Sequence, residues 1–173
     1  TLVAMGGAES RGAWWHPAWG FRRTLVVDAE QVDADLTDFP VPVRLTTNNF
    51  DFSKARPNGA DVRFTLKDGT PLDFERERHD AAGGKAEYWV RLPQVSGETG
   101  ATFYLYYGNS NASDGANAAG VWDAGFAGVW HSGEAGGAVA DSTGWNNHGA
   151  KKSAAEPVQI EGVFGRAQQY DGS

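Results

Sequence analysis

Residues 61–67 alternate strictly: Val62, Phe64 and Leu66 are apolar, and Asp61, Arg63, Thr65 and Lys67 are polar. A period of two marks a strand with one wet face. Leu72 and Phe74 resume the alternation against Asp73 and Glu75 after Asp68-Gly69. Asp-Gly accepts the positive φ angles of a type I′ turn, so a hairpin is predicted here, the seed of an antiparallel sheet. Phe39, Val41, Val43 and Leu45 alternate with Pro40, Pro42, Arg44 and Thr46. Proline cannot donate to a ladder, which puts this run at a sheet edge or its prolines at non-bonded positions. Residues 21–27, 87–92 and 102–107 supply further strands. In the last, Phe103, Leu105 and Tyr107 share one face while Thr102, Tyr104 and Tyr106 share the other. Aromatics on both faces predict cover on both sides, as in the central strand of a sandwich.

Helical periodicity is nearly absent, and glycine is heavily used, 23 times in 173 residues. With 40% hydrophobic and 12% aromatic residues the chain can fill a core. The expectation is an all-β protein, an antiparallel β-sandwich rich in turns. Residues 110–120 carry only small and polar side chains, the composition of a linker. Short strand-like pieces follow, and about fifty residues of them cannot close a second sandwich. The predicted division is an arm at 1–13, a sandwich at 14–118 and an incomplete second unit at 119–173.

A net charge of −7, with no basic cluster larger than a pair, makes nucleic acid and anionic membrane surfaces poor partners. No cysteine is present, which excludes disulfides, thiol catalysis and cysteine-ligated zinc. No apolar run approaches the roughly 20 residues of a membrane helix, so no membrane contact is expected of these residues. The first residue is Thr1, so the numbering is expected to begin inside a longer precursor. Gly6 and Ala8 are spaced like a cleavage site before Glu9, and residues 1–13 read as the remnant of an export signal peptide or as a floppy arm.

Trp14, Trp15 and Trp19 crowd six residues before the first strand. Such rings either stack on a sugar as a ligand-binding platform or plug the open end of a sandwich. Asp141, Ser142, Asn146 and Asn147 put hard oxygens on a glycine-rich loop; Asp141, Asn146 and Asn147 are the candidate calcium ligands, against ordinary Asx turns. Glu75 and Glu77 lie two apart on a strand, roughly 6.5 Å along it, and cross-strand ion pairs with Arg76 and Arg78 are expected. His16, His79, His131 and His148 are scattered, and no His-Glu-x-x-His pair, nucleophile elbow or phosphate loop appears. Nothing reads as an active site, so the chain is not expected to be an enzyme.

Five motifs in order carry a resemblance: Trp19-Gly-Phe-Arg22, Asp38-Phe-Pro-Val-Pro-Val43, Asp61-Val-Arg-Phe64 with Asp68-Gly69, Tyr88-Trp-Val-Arg-Leu-Pro93 and Tyr106-Tyr-Gly-Asn109. From 14 to about 120 the chain is similar to a bacterial exported domain of unknown function. From 129 to 173, Val129-Trp130-His131, Asp141-Ser142, Asn147-His148-Gly149 and Tyr170-Asp-Gly-Ser173 resemble the opening of a laminin-G-like, concanavalin-type jelly roll. The resemblance implies two units in tandem, in some chains fused to a proton channel of the MotA/TolQ/ExbB kind. It implies the periplasm of a Gram-negative cell, or secretion, and a place in a larger, oligomeric membrane assembly. Two roles follow: a non-enzymatic module that recognises an envelope glycan or periplasmic protein or sets spacing, or the accessory carbohydrate-binding part of a secreted glycan-active enzyme.

Overall fold

The computed structural model describes residues 3–9, 15–122, 125–151 and 157–170. Eight strands build the sandwich: β1 (Val3–Glu9), β2 (Phe21–Val27), β3 (Leu36–Thr46), β4 (Arg63–Leu66), β5 (Pro71–Leu72), β6 (Phe74–Asp80), β7 (Lys85–Val95) and β8 (Ala101–Tyr107). One sheet runs β1-β2-β8-β4-β5 and the other β3-β7-β6, with every pairing antiparallel. The fold is the expected all-β sandwich. Leu25, Val27, Phe64, Phe103, Leu105 and Tyr107 of the first sheet meet Val41, Val43, Leu45, Phe74, Tyr88 and Val90 of the second, all buried. Phe64 ties the layers, its ring 5.2 Å from Phe74 and 5.5 Å from Tyr88 in edge-to-face contacts.

The prolines of β3 sit on the edge strand that their missing N–H groups require. The hairpin turns at Asp68-Gly69, but not as type I′. Gly69 N donates to Leu66 O at 3.0 Å and Leu66 N to Thr70 O at 2.9 Å. Gly69 has φ +90°, while Asp68 keeps a negative φ and caps Thr70 N at 2.9 Å. That is a type I turn closed by a glycine bulge, with one residue in the left-handed region instead of two.

Two further differences concern the ends. Residues 3–9, expected outside the sandwich as an export remnant or a loose arm, form edge strand β1, and Val3 enters the core. Residues 110–120, expected as a linker containing a domain boundary, are laced to the sandwich. Arg63 Nη2 reaches Ser113 O at 2.5 Å, Arg76 pairs with Asp114, and Asn117 N reaches Phe74 O at 2.8 Å. A single helical turn, α1 (Ala118–Val121), then buries Val121 and delivers Trp122 against β7. Beyond it the described residues form two short hairpins, β9 (Ala138–Val139) with β10 (Gly149–Ala150) and β11 (Val158–Glu161) with β12 (Arg166–Gln169).

Valine at position 69 would combine a β-branched side chain with φ +90° and set its Cβ 3.3 Å from Trp15 Cδ1. Gly69→Val is expected to destabilise the sandwich by about 1–3 kcal/mol, read as a lower urea midpoint; an unchanged midpoint contradicts the turn geometry.

Candidate functional site

Strand β6 does not alternate cleanly. Glu75 pairs with Trp89 and Arg76 with Tyr88, but Arg78 pairs with Glu87, leaving Glu77 as an extra residue. This β-bulge re-phases the strand, so Glu75, Glu77 and Arg78 all interact with groups on the outer face of the three-stranded sheet. Arg76 turns to the other side, toward Asp114 and Gly59 O. The expected ion pairing of Glu75 and Glu77 with Arg76 and Arg78 is therefore not what forms. Arg78 instead grips Glu87 with two bonds of 2.7 Å and reaches Glu161 at 3.1 Å, which holds the guanidinium firmly charged.

Glu75 and Glu77 take their partners from the chain that follows the sandwich. Glu75 Oε2 accepts Trp122 Nε1 at 2.5 Å and lies 2.9 Å from His131 Nε2, while Glu75 Oε1 accepts Ser142 Oγ at 2.6 Å. Glu77 Oε2 accepts Trp89 Nε1 at 2.7 Å and lies 3.5 Å from His131 Nδ1. The imidazole stacks on Trp89, centroids 5.9 Å apart at 21°, and Phe164 packs on the same indole at 4.9 Å. Arg44 lies over Phe164. Gly165, at φ +62°, crosses Glu77 so closely that a Cβ there would overlap the carboxylate.

Burial and partners pull the three charges apart. Burial alone would raise Glu75, but His131, Ser142 and Trp122 bond to its ionised form and hold it below the usual range. Burial raises Glu77 above that range, and the Trp89 N–H only partly offsets it. Burial would lower His131, yet the hydrogen bond and charge of Glu75, with Glu77 and Glu134, push it above its ordinary value. These groups satisfy one another. A shallow cleft of about 480 Å³ lies elsewhere, between the 47–53 and 81–84 loops, and holds none of the sequence-derived candidates.

Trp15 and Trp19 lie on the outer face of the other sheet, covering Tyr106, and Trp14 falls outside the described residues. Trp19 is 7% exposed and its indole donates to Asp61 O at 2.7 Å, so it is structural and not an open sugar platform. Trp15 is half-buried, 5.0 Å from the Trp19 ring. The Asp61 carboxylate gathers Arg56 N, Gly108 N and Asn109 N at 2.9, 2.7 and 3.2 Å, and with the Trp19 bond to its backbone carbonyl Asp61 joins three of the recognised motifs.

Asp141 and Asn147 are brought together, but as a loop hub. Asp141 accepts Val129 N and Thr143 N on Oδ1 at 2.9 and 3.0 Å, and Thr143 Oγ1 and Asn147 N on Oδ2, both at 2.8 Å. Burial alone would raise its pKa; the bonds from Val129, Thr143 and Asn147 hold it well below the carboxylate range. Asn146 adopts φ +57° and bonds Gly144 O, and Asn147 Nδ2 donates to Ala127 O. A calcium ion would have to displace four donors. Among the described residues no group of three or more carboxylate, histidine or cysteine side chains is placed to hold a metal.

A family model described as Domain of unknown function (DUF2341) matches residues 58–148, more than half of the chain. The chain belongs to the DUF2341 family. No match was found among curated proteins or solved structures. The DUF2341 segment contains Glu75, Glu77, Trp89, Trp122, His131 and Ser142 together, and so crosses the boundary that composition put at 118. It leaves out Trp15 and Trp19.

Sequence reasoning missed the cluster because the Glu77 bulge has no local signature and His131 is 56 residues from Glu75. Glu75→Ala strips a carboxylate from three donors and is expected to cost about 3 kcal/mol, with red-shifted tryptophan emission as Trp122 gains water; an exposed control, Glu98→Ala, should change neither. Millimolar calcium is expected to leave the thermal midpoint where it is; a rise with calcium would reassign Asp141 as a ligand.

Proposed function

We propose that this chain is a non-enzymatic extracytoplasmic module whose sandwich serves as a base that holds the following segment at a set position. One observation carries the reading: Trp122, His131 and Ser142, three points of the downstream chain, converge on one carboxylate of β6. A catalytic pair of carboxylates needs room between them for substrate or water, whereas here imidazole, indole and hydroxyl groups fill that space. Spacing between modules is the role such a joint performs. The motif resemblance supports a periplasmic setting, ahead of the membrane part of a MotA/TolQ/ExbB-type proton-channel protein, with a laminin-G-like unit continuing the chain.

A second reading, an accessory carbohydrate-binding module of a secreted glycan-active enzyme, draws support from exposed rings. Trp130 is 48% and Trp145 59% exposed, and Trp15 is half-buried. The two readings part in one experiment. The chain has no cysteine, so Glu98→Cys with Tyr170→Cys gives two unique spin-labelling sites. A narrow distance distribution that broadens with Glu75→Ala, with no saturable binding to peptidoglycan or envelope glycans, is the expected result. Saturable glycan binding that is lost in a Trp15→Ala variant or a Trp130→Ala, Trp145→Ala double variant that keeps the wild-type thermal midpoint favours the second reading.

A further inference from the structure

We propose that His131, held between Glu75 and Glu77, is a proton-operated clasp that fastens the 125–170 segment to the sandwich in mildly acidic medium and loosens as the pH rises past neutrality. The proposal rests on the docking reading above and adds its regulation.

The geometry comes first. Each ring nitrogen of His131 faces a carboxylate oxygen, Nε2 toward Glu75 at 2.9 Å and Nδ1 toward Glu77 at 3.5 Å. A neutral imidazole carries one N–H and one lone pair, so it can serve only one of them and turns its lone pair on the other. Only the imidazolium donates at both. All three side chains are largely removed from water, at 16%, 12% and 7% exposure for His131, Glu75 and Glu77. Bulk solvent therefore screens the pair poorly.

The surrounding charges do not supply a substitute. From β6 and β7, Arg78 is engaged by Glu87 and Glu161. From β3, Arg44 sits over Phe164 and 3.9 Å from Glu87. Glu134, on the segment's own side, adds negative charge, and Trp89, Trp122 and Ser142 contribute neutral donors. The joint therefore has two carboxylates and one titratable cation at its centre.

The directions of titration agree. His131 is raised, so its contribution is complete below its ordinary value and is lost as pH climbs through the raised one. Glu77 is also raised, and its contribution too is held on the acid side and lost on the way up. Glu75 is lowered, so its contribution is present above the ordinary carboxylate value and lost only in stronger acid. The docked state is strongest between the carboxylate range and the raised histidine value.

Hydrogen exchange on the full chain tests this, with protection of 138–150 and 157–170 expressed relative to β7 and β8 so that intrinsic pH effects cancel. Relative protection is expected to fall roughly tenfold from about pH 6 to about pH 8.5, at the midpoint where the His131 ring titrates by NMR. His131→Gln, which cannot titrate, is expected to give a flat profile. A flat wild-type profile with high protection overturns the clasp and leaves the docking reading standing. A segment unprotected at every pH overturns the docking reading itself. If His131→Gln fails to fold, the wild-type comparison decides: a ring that titrates at or below the ordinary histidine value, or away from the loss of protection, overturns the clasp.

Discussion

Three points of the chain that follows the sandwich depend on one carboxylate. Glu75 is nearly removed from water, and its two oxygens are filled by an indole, an imidazole and a hydroxyl brought from three places in the downstream chain. A buried carboxylate left without donors is costly, so each of the three is held as firmly as the charge demands. The apolar contacts around it, Trp89 with Trp122, His131 and Phe164, exclude the water that would otherwise compete. The two short hairpins have little apolar core of their own, since Val158, Ile160 and Val163 are exposed. Their position is therefore borrowed from the sandwich.

The Glu77 bulge makes that arrangement available. Without the extra residue, β6 would alternate and Arg78 would face the core layer when Glu75 faced out. With it, carboxylates and guanidinium gather on one face, the guanidinium neutralising Glu87 while the carboxylates wait for His131. A bulge at this position is thus an aiming device, and its effect is felt at residues more than fifty positions along the chain.

Most of the sandwich was legible from alternation alone. Phe39–Leu45, Arg63–Leu66 and Phe103–Tyr107 are strands where the period of two put them, and Phe103–Tyr107 is covered on both faces as expected, but the face of 61–67 expected to be wet is not, since Asp61 and Thr65 are buried. The turn at Asp68-Gly69 was legible in place but not in type, since Asp-Gly also suits a type I turn with a bulge. The 110–120 stretch misled because its small polar residues, typical of a linker, here place Asp114 and Asn117 against Arg76 and Phe74. Of the tryptophans before β2, Trp15 and Trp19 pack together as their spacing suggested, but on the outer face of a sheet, and the buried Trp19 indole is tied to Asp61 O. Asp141 was singled out for its oxygens, whereas its four donors are mainly backbone amides that no sequence pattern displays.

The strand order sets a timetable for the chain's manufacture. β2 is made early, yet its partner on the inner side is β8, with Phe21 opposite Tyr107. Meanwhile β6 and β7 can zip together as a hairpin of near neighbours, and β3 can join them before β8 is made. Closing the larger sheet means joining distant stretches, the slow step for any β topology. Until residue 107 has left the ribosome, β1 and β2 can pair only with each other, and the edge of β2 that β8 takes stays open. A nascent chain halted before that point presents an apolar ribbon with an open edge, the form best suited to pair with another copy of itself.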